Sequence, residues 1–195
     1  MGYEIELKAH VREDQLDAVR TAISALPEVR SLGPVNKFDM YWSQTEDGDP
    51  LFRTRREASA EGSHVLFTAK PNKTRTPDGT EENQELEFTA PDSQWDSILT
   101  FCSGLGLQVC RLKWKKGSHY HVRFEDYDIH VELLNVKYLD WFIEMEICPA
   151  SLEGFDIENA HKVLRMLLSE LCISEDAIEH VGYNKLLKAI GHDKG

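Results

Sequence analysis

The chain has 195 residues, of which 41% are hydrophobic and 29% are charged, and its formal net charge is −12. This length and composition are typical of a soluble globular protein, and we expect one domain over residues 1–195. An acidic surface repels nucleic acid and anionic membranes, so neither is an expected partner. No run approaches the roughly 18 apolar residues of a membrane helix, and no basic-then-apolar signal peptide is evident, so the expected location is cytoplasmic.

Strands are predicted wherever polar and apolar residues alternate, and helices wherever apolar residues recur at helical spacing. The predicted strands cover residues 2–11, 37–42, 51–56, 64–70, 84–89, 107–116, 119–125, 127–134 and 141–148. The predicted helices cover residues 14–26, about 92–104, 156–171 and 183–190. The polar stretch 71–83 contains two prolines and a glycine, which predicts a loop. Eight or nine strands with few helices predict an α+β protein, an antiparallel barrel covered by helices.

The four cysteines give no sign of a metal site or a disulfide framework. They are Cys102, Cys110, Cys148 and Cys172, and no two of them form a CxxC pair. All four sit among apolar residues. We therefore expect reduced, partly buried thiols.

Charged residues share one face of almost every predicted strand, since residues i and i+2 of a strand point the same way. The first strand has Glu4, Glu6 and Lys8 on one face and Ile5 and Leu7 on the other. Later strands repeat the design with Lys37, Asp39, Tyr41, Arg53, Arg55, His64, Lys70, Glu85, Glu87, Arg111, Lys113, Lys115, His130, Glu132, Glu144 and Glu146. The pattern allows two interpretations of where this charged face lies.

In the first interpretation, the polar face meets water and the apolar face covers a core. In the second, the charges line the lumen of the barrel and the apolar faces pack under the helices. The charges are grouped by strand into carboxylate pairs and cation pairs, which favours the second interpretation because like charges repel unless metal ions and phosphates lie between them. Carboxylates are the ligands preferred by Mg²⁺ and Mn²⁺, and Arg and Lys bind phosphate oxygens.

The order of the charged motifs resembles that of the CYTH domain, or triphosphate tunnel metalloenzymes. This family includes class IV adenylate cyclases, thiamine triphosphatases and inorganic triphosphatases. The first-strand motif ExExK is present as Glu4-Ile5-Glu6-Leu7-Lys8. The motifs that follow in family order are Lys37-Phe38-Asp39-Met40-Tyr41, Phe52-Arg53-Thr54-Arg55, Lys70-Pro71, Glu85-Leu86-Glu87, Lys113-Trp114-Lys115, His130-Val131-Glu132, Phe142-Ile143-Glu144-Met145-Glu146 and Gly182-Tyr183-Asn184-Lys185-Leu186-Leu187.

The chain departs from the family pattern at four places. Glu132 stands where Asp is usual, and Tyr138-Leu139-Asp140 stands where the following loop usually has G-L-G. Lys115 or Lys116 replaces an Arg, which loses bidentate geometry. Asn83 stands where a basic residue often precedes ExE. Such changes bear on substrate choice within the family.

The resemblance implies a closed antiparallel eight-stranded barrel, the triphosphate tunnel, with a charged lumen and covering helices. It implies Mg²⁺ or Mn²⁺, as two ions, with Glu4, Glu6, Glu132, Glu144 and Glu146 as the ligands. It implies triphosphate binding by Lys8, Arg53, Arg55, Lys70, Lys113, Lys115 and Arg111. The catalytic candidates are Lys8, Glu85 and Glu87, the two glutamates either binding a second metal ion or orienting the nucleophile.

The expected activity is that of a class IV adenylate cyclase, converting ATP to cyclic AMP and pyrophosphate, because the stretch Tyr183–Leu187 resembles the cyclase-like branch. The alternative is a triphosphatase acting on inorganic triphosphate, thiamine triphosphate or a nucleoside triphosphate. A binder of polyphosphate or nucleotide without activity is a third possibility. The expected partner is a small-molecule triphosphate, and the chain is expected to be a monomer or a homodimer. The loop 71–83 either covers the tunnel mouth or is an ordinary surface loop.

Overall fold

The computed structural model describes residues 2–75 and 80–194. The strands are β1 (Gly2–Val11), β2 (Val29–Ser43), β3 (Phe52–Ser59), β4 (Gly62–Arg75), β5 (Glu81–Pro91), β6 (Gln108–Phe124), β7 (Tyr127–Val136) and β8 (Asp140–Ile147). The helices are α1 (Leu16–Ala25), α2 (Trp95–Gly104), α3 (Ile157–Glu170) and α4 (Tyr183–Ala189). Three short 3₁₀ turns lie at Glu13–Gln15, Asp92–Gln94 and Glu175–Ala177.

The eight strands form a closed ring in the order β1-β5-β4-β3-β2-β6-β7-β8. Every neighbouring pair is antiparallel. Strand β1 closes the ring between β5 and β8, with Glu6 opposite Glu81 on one side and Lys8 opposite Glu144 on the other. The expected α+β class and eight-stranded antiparallel barrel are therefore confirmed. A ring of this size encloses side chains or one small ligand.

The apolar core lies outside the ring, between the barrel wall and helices α1 and α3. Ile5, Leu7 and Ala9 of β1 are almost fully buried there, in one cluster with Leu164 and Leu167 of α3. Since side chains alternate across a strand, Glu4, Glu6 and Lys8 point to the opposite side, into the lumen. The second interpretation of the charge pattern is the correct one.

Helix α3 supplies most of the cover because it is strongly amphipathic. Asp156 caps its first turn, the carboxylate accepting a hydrogen bond from the backbone N–H of Asn159 at 2.9 Å. Its buried stripe consists of Ala160, Val163, Leu164, Leu167 and Leu168. Among the described residues, no helix is long and apolar enough to cross a membrane.

One strand replaces the two predicted over 107–116 and 119–125. Strand β6 continues through Gly117 and pairs with β2 along one edge and β7 along the other. Gly117 does not break the strand. Its lack of a side chain allows the backbones of β6 and β7 to approach closely, because a Cβ atom there would lie 2.0 Å from the carbonyl oxygen of Leu133.

The predicted loop 71–83 is largely strand. β4 extends to Arg75 and β5 begins at Glu81, so residues 76–80 alone separate them, and 76–79 lie outside the described residues. Pro71 falls within a register shift between Ala69 and Asn72, which is how a strand accommodates a residue without an N–H donor.

The close approach at Gly117 predicts a specific cost for adding one methyl group. Gly117→Ala should lower the free energy of unfolding by about 2 kcal/mol, because backbone atoms of two paired strands must separate. Gly104→Ala is the matched control: a Cβ there meets nothing within 4 Å, so no loss of stability is expected. Urea unfolding of both variants checks this, and equal stabilities would contradict the close approach.

Candidate active site

A cavity of about 810 Å³ occupies the lumen. Its lining includes the sequence-predicted residues Glu4, Glu6, Lys8, Arg53, Arg55, Lys70, Glu85, Glu87, Lys113, Lys115, Glu144 and Glu146. Six strands contribute these residues, and closure of the ring brings them together. Carboxylates and cations are not mixed evenly along the wall.

The cations of β3 and β6 gather around Asp39, a fully buried carboxylate on β2. Asp39 accepts from the Arg55 guanidinium at 2.6 Å, and the Lys113 ammonium lies 3.1 Å away. Arg53 lies at 3.9 Å. Burial alone would raise the pKa of Asp39, but these three cations hold it well below its ordinary value. Asp39 therefore stays ionised and fixes a cationic wall.

A group of carboxylates lies on β1 and β8. Glu4, Glu6 and Glu146 each offer an oxygen atom, and these atoms lie within 4.8 Å of one another. Lys70 partly neutralises the group, since its ammonium contacts Glu4 at 2.5 Å and Glu85 at 2.7 Å. Within residues 2–75 and 80–194, no ion pair to Glu6 or Glu146 is present.

The pKa values of Glu6 and Glu146 in this group are raised, whereas the pKa of the neighbouring Glu144 is lowered. Burial and the charges of Glu4 and Glu144 raise the pKa of Glu6. Burial and the charges of Glu4 and Glu132 raise the pKa of Glu146 well above its ordinary value. Burial would raise the pKa of Glu144 too, but the Lys115 ammonium, 2.8 Å away, lowers it to about 2.

The group formed by Glu4, Glu6 and Glu146 has the chemistry that a hard divalent cation needs. It presents carboxylate oxygens alone, which suits Mg²⁺ or Mn²⁺. Among the described residues, Glu6 and Glu146 form no ion pair, and their pKa values are raised, so their ionised forms are destabilised. A cation bound there would remove that repulsion.

Solved structures share this fold over nearly its whole length. The PH1819 protein of Pyrococcus horikoshii matches with a TM-score of 0.74 and 22% identity, over 96% of this chain and 99% of that one. A candidate adenylate cyclase of Vibrio parahaemolyticus matches with a TM-score of 0.68 and 18% identity, over 95% and 98%. HpAC1 of Hippeastrum, described as a candidate adenylyl cyclase with a dominant triphosphatase activity, matches with a TM-score of 0.64 and 12% identity, over 98% and 96%. No protein-family model matches the chain, and no curated protein matches its sequence.

The chain has a CYTH fold. The resemblance read from its motifs is thus confirmed at the level of the fold. The turn between β7 and β8 keeps the backbone conformation that glycine favours, although the G-L-G of the family pattern is absent. Tyr138 and Asp140 stand at the two glycine positions, and both adopt left-handed backbone conformations, with φ of 73° and 68°.

Two predicted CYTH site residues lie outside the cavity lining. Arg111 is buried but faces the chain's C-terminal segment, where its guanidinium pairs with Asp193 at 3.0 Å. Glu132 is 1% exposed and is held by the Lys37 ammonium and by His130 at 3.1 Å. Their predicted roles in phosphate and metal binding stay predictions.

Sequence reasoning gave no role to several residues of the lumen. Glu81 lines the cavity opposite Glu6, and Asn83 donates to Glu4 at 3.4 Å and to Glu81 at 3.5 Å. Both share the parity of Glu85 and Glu87, so extending the strand predicted over 84–89 by three residues, to Glu81, would have found them. Lys37 also lines the cavity, and its place on the charged face of β2 was the available signal.

The carboxylate repulsion predicts that Glu146→Gln stabilises the metal-free protein. A raised folded pKa means that ionisation destabilises the native state, so the penalty is complete above that pKa and shrinks as the pH falls from it toward the ordinary pKa of the unfolded chain. Urea unfolding in EDTA at pH 8 should show a higher midpoint for the variant than for the unchanged protein. A lower midpoint at pH 8 would contradict the repulsion.

Glu144→Gln should have the opposite effect. A depressed folded pKa contributes stability above the unfolded value and loses it as the pH falls toward 2. The variant should lose about 3 kcal/mol near neutral pH, since it also leaves Lys115 without its partner. The same unfolding series, extended down to pH 3, should show the difference shrinking below about pH 4.5.

Proposed function

We propose that this protein is a divalent-metal-dependent enzyme that acts on a triphosphate compound, with cyclisation of ATP to cyclic AMP and pyrophosphate as its reaction. One observation carries the proposal: the carboxylate group of Glu4, Glu6 and Glu146 shares a cavity of about 810 Å³ with the cationic wall around Asp39. A metal–triphosphate complex has both complementary charges, which fits such a lumen.

The cations would hold the phosphate chain. Arg53, Arg55 and Lys113 are already fixed by Asp39, so little reorganisation is needed when phosphate oxygens arrive. Lys8 and Lys115 lie beside the same space. A buried guanidinium can bind phosphate oxygens with two hydrogen bonds, which orients the chain for in-line displacement.

Glu4, Glu6 and Glu146 would hold the metal, with Glu144 next to them on β8. When bound, Mg²⁺ or Mn²⁺ would neutralise charge that develops on the phosphate oxygens and the leaving group. The family resemblance implies two ions, which would share this charge neutralisation. Glu81 adds a further carboxylate opposite Glu6, and the Asn83 amide nitrogen donates to Glu4 and Glu81.

Part of the cavity lining is apolar, which favours a substrate that carries an organic group besides the triphosphate. Pro50, Leu51, Phe52 and Val181 line the same space as the charged residues. Leu51 is 53% exposed, so this wall is open to solvent at one side. A nucleobase or a thiamine ring could pack there while the phosphates reach the cations, whereas inorganic triphosphate has no group to use it.

In the cyclisation, the ribose 3′-oxygen forms a bond to the α-phosphorus while the bond from that phosphorus to the pyrophosphate oxygen breaks. The 3′-hydroxyl proton must pass to a base. Glu85 and Glu87 are the candidates, because both line the cavity and Glu87 is 35% exposed. Thr68 donates to Glu87 at 2.7 Å and accepts from Arg53 at 2.8 Å, which links the base to the cationic wall.

A triphosphatase is the second candidate. HpAC1, whose fold is shared over 98% of this chain, is described with a dominant triphosphatase activity. In this reaction a water molecule, oriented by Glu85 or Glu87, would attack the terminal phosphorus and release orthophosphate. The same cations and carboxylates would serve both reactions, so the products distinguish them. A cytoplasmic location and a monomeric or homodimeric state stay predictions.

Product analysis tests the proposal directly. The pure protein with Mg²⁺ or Mn²⁺ should convert ATP to cyclic AMP and pyrophosphate, measured by chromatography. Orthophosphate from ATP, tripolyphosphate or thiamine triphosphate would select the triphosphatase instead. Tight binding without turnover of any of the three would contradict an enzyme and support the binder.

Glu6→Gln should lower kcat/KM by about 100-fold or more, because it removes a ligand from the metal group while keeping the side-chain shape. The substitution also relieves carboxylate repulsion, so the variant should remain folded. Glu13→Gln, an exposed residue just after β1, is the matched control and should keep full activity. Full metal-dependent turnover of Glu6→Gln would show that the metal assignment is wrong.

A further inference from the structure

Two histidines and a glutamate meet on the lumen face of β6 and β7. His119 lies directly opposite Glu132 in the strand register, and His130 lies two residues before Glu132 on β7. One potential ligand atom from each residue falls in a group whose members are within 4.8 Å of one another. The sequence motifs assign no role to His119, and the proposed reaction does not use it.

A backbone carbonyl fixes the tautomer of the His119 ring. Its Nε2 atom lies 3.2 Å from the carbonyl oxygen of Leu32, an acceptor that requires the proton to be on Nε2. The lone pair of the ring is then on Nδ1. Metal-binding histidines characteristically donate their other N–H to a backbone carbonyl, which fixes the tautomer.

One of the two carboxylate oxygen atoms of Glu132 accepts no hydrogen bond from the described residues. Its Oε1 atom contacts the Lys37 ammonium and lies 3.1 Å from His130 Nε2. Its Oε2 atom has no hydrogen-bond partner in the described part of the chain. The residue is only 1% exposed, so water does not supply a partner freely. A buried carboxylate oxygen without a partner is costly, so this position favours a ligand.

We propose that His119, His130 and Glu132 form a binding site for a borderline divalent transition-metal ion, with Zn²⁺ as its natural occupant. Two imidazoles and one carboxylate are an established ligand set for Zn²⁺ and leave one coordination position open. The group formed by Glu4, Glu6 and Glu146 offers oxygen alone and suits Mg²⁺ or Mn²⁺. The lumen therefore contains two metal sites of different chemical preference.

Small side-chain movements complete the site. Zn–N and Zn–O bonds of about 2.1 Å place tetrahedral ligand atoms about 3.4 Å apart, so those ligand atoms that now lie up to 4.8 Å apart must move closer together. The Lys37 ammonium has to leave Glu132 when the ion enters. Glu57 lies 3.5 Å from that ammonium and would remain as its ion-pair partner.

Titration with Co²⁺, a spectroscopic substitute for Zn²⁺, tests the site in the full chain. Excess Mg²⁺ is present throughout to occupy the all-oxygen group. We expect saturation at one Co²⁺ per chain, with the intense visible bands of a four- or five-coordinate ion, and displacement by Zn²⁺, which binds such ligands more tightly. This test measures binding and not turnover, so its result is independent of the proposed reaction.

His119→Gln should weaken Co²⁺ binding by at least about 10-fold, because glutamine retains a donor for the Leu32 carbonyl but has no imidazole. His121→Gln is the matched control: it lies two residues further along β6, its side chain is 41% exposed, and it should bind Co²⁺ as the unchanged protein does. Circular dichroism confirms folding, and His130→Gln serves as the second variant if His119→Gln does not fold.

Three outcomes would overturn the site. The first is that the unchanged protein shows only the weak bands of oxygen-coordinated Co²⁺. The second is that folded His119→Gln and His130→Gln bind Co²⁺ as tightly as the unchanged protein. The third is a sulfur-to-cobalt charge-transfer band, which would assign the binding to the exposed thiols of Cys148 or Cys172.

Discussion

Closure of the sheet into a ring is the constraint on which the rest of this structure depends. In an open sheet, the charges that alternate with Ile5 and Leu7 would be spread in water and screened. When the ring closes, Glu4, Glu6 and Glu146 are confined to one lumen, where the charge of Glu4 raises the cost of ionising Glu6 and Glu146. The barrel tolerates this repulsion because its outer face buries a continuous apolar core under α1 and α3. A bound cation would convert the repulsion into affinity.

The cationic half of the lumen is organised in a different way, around a single carboxylate. Asp39 is paired with Arg55 and Lys113 and lies near Arg53, so it keeps three cations close together that would otherwise repel one another. Asp39 itself is fully buried and cannot be reached by a ligand. Its effect on a substrate is therefore indirect: it fixes where the guanidinium and ammonium groups are before a phosphate chain arrives. Such preorganisation is the main source of electrostatic catalysis in phosphoryl transfer.

Residues 181–185, close to the C-terminal end of the chain, contact the charged residues of the lumen. The Lys8 ammonium donates to the carbonyl of Val181 at 2.8 Å and lies 4.2 Å from the centre of the Tyr183 ring. Lys113 and Lys115 lie 5.2 Å and 5.5 Å from the same ring centre, so one aromatic ring stabilises three neighbouring cations. Val181, Tyr183 and Lys185 also line the cavity. The segment that resembles the cyclase-like branch in sequence is thus part of the candidate site.

The sequence by itself determined the class of the fold, the parity of every charged strand and most of the cavity lining, because alternation along a strand is a local property. It did not determine the continuity of β6 through Gly117 or the extension of β5 to Glu81, since both depend on pairing with strands remote in the chain. Nor did it determine which carboxylates meet. Glu4, Glu6 and Glu146 share one group, Glu144 pairs with Lys115, Glu132 joins His119 and His130, and Arg111 pairs with Asp193. Only the register and closure of the ring decide such neighbours, because they set the distances between residues on different strands, some of them as far apart in the chain as Glu4 and Glu146.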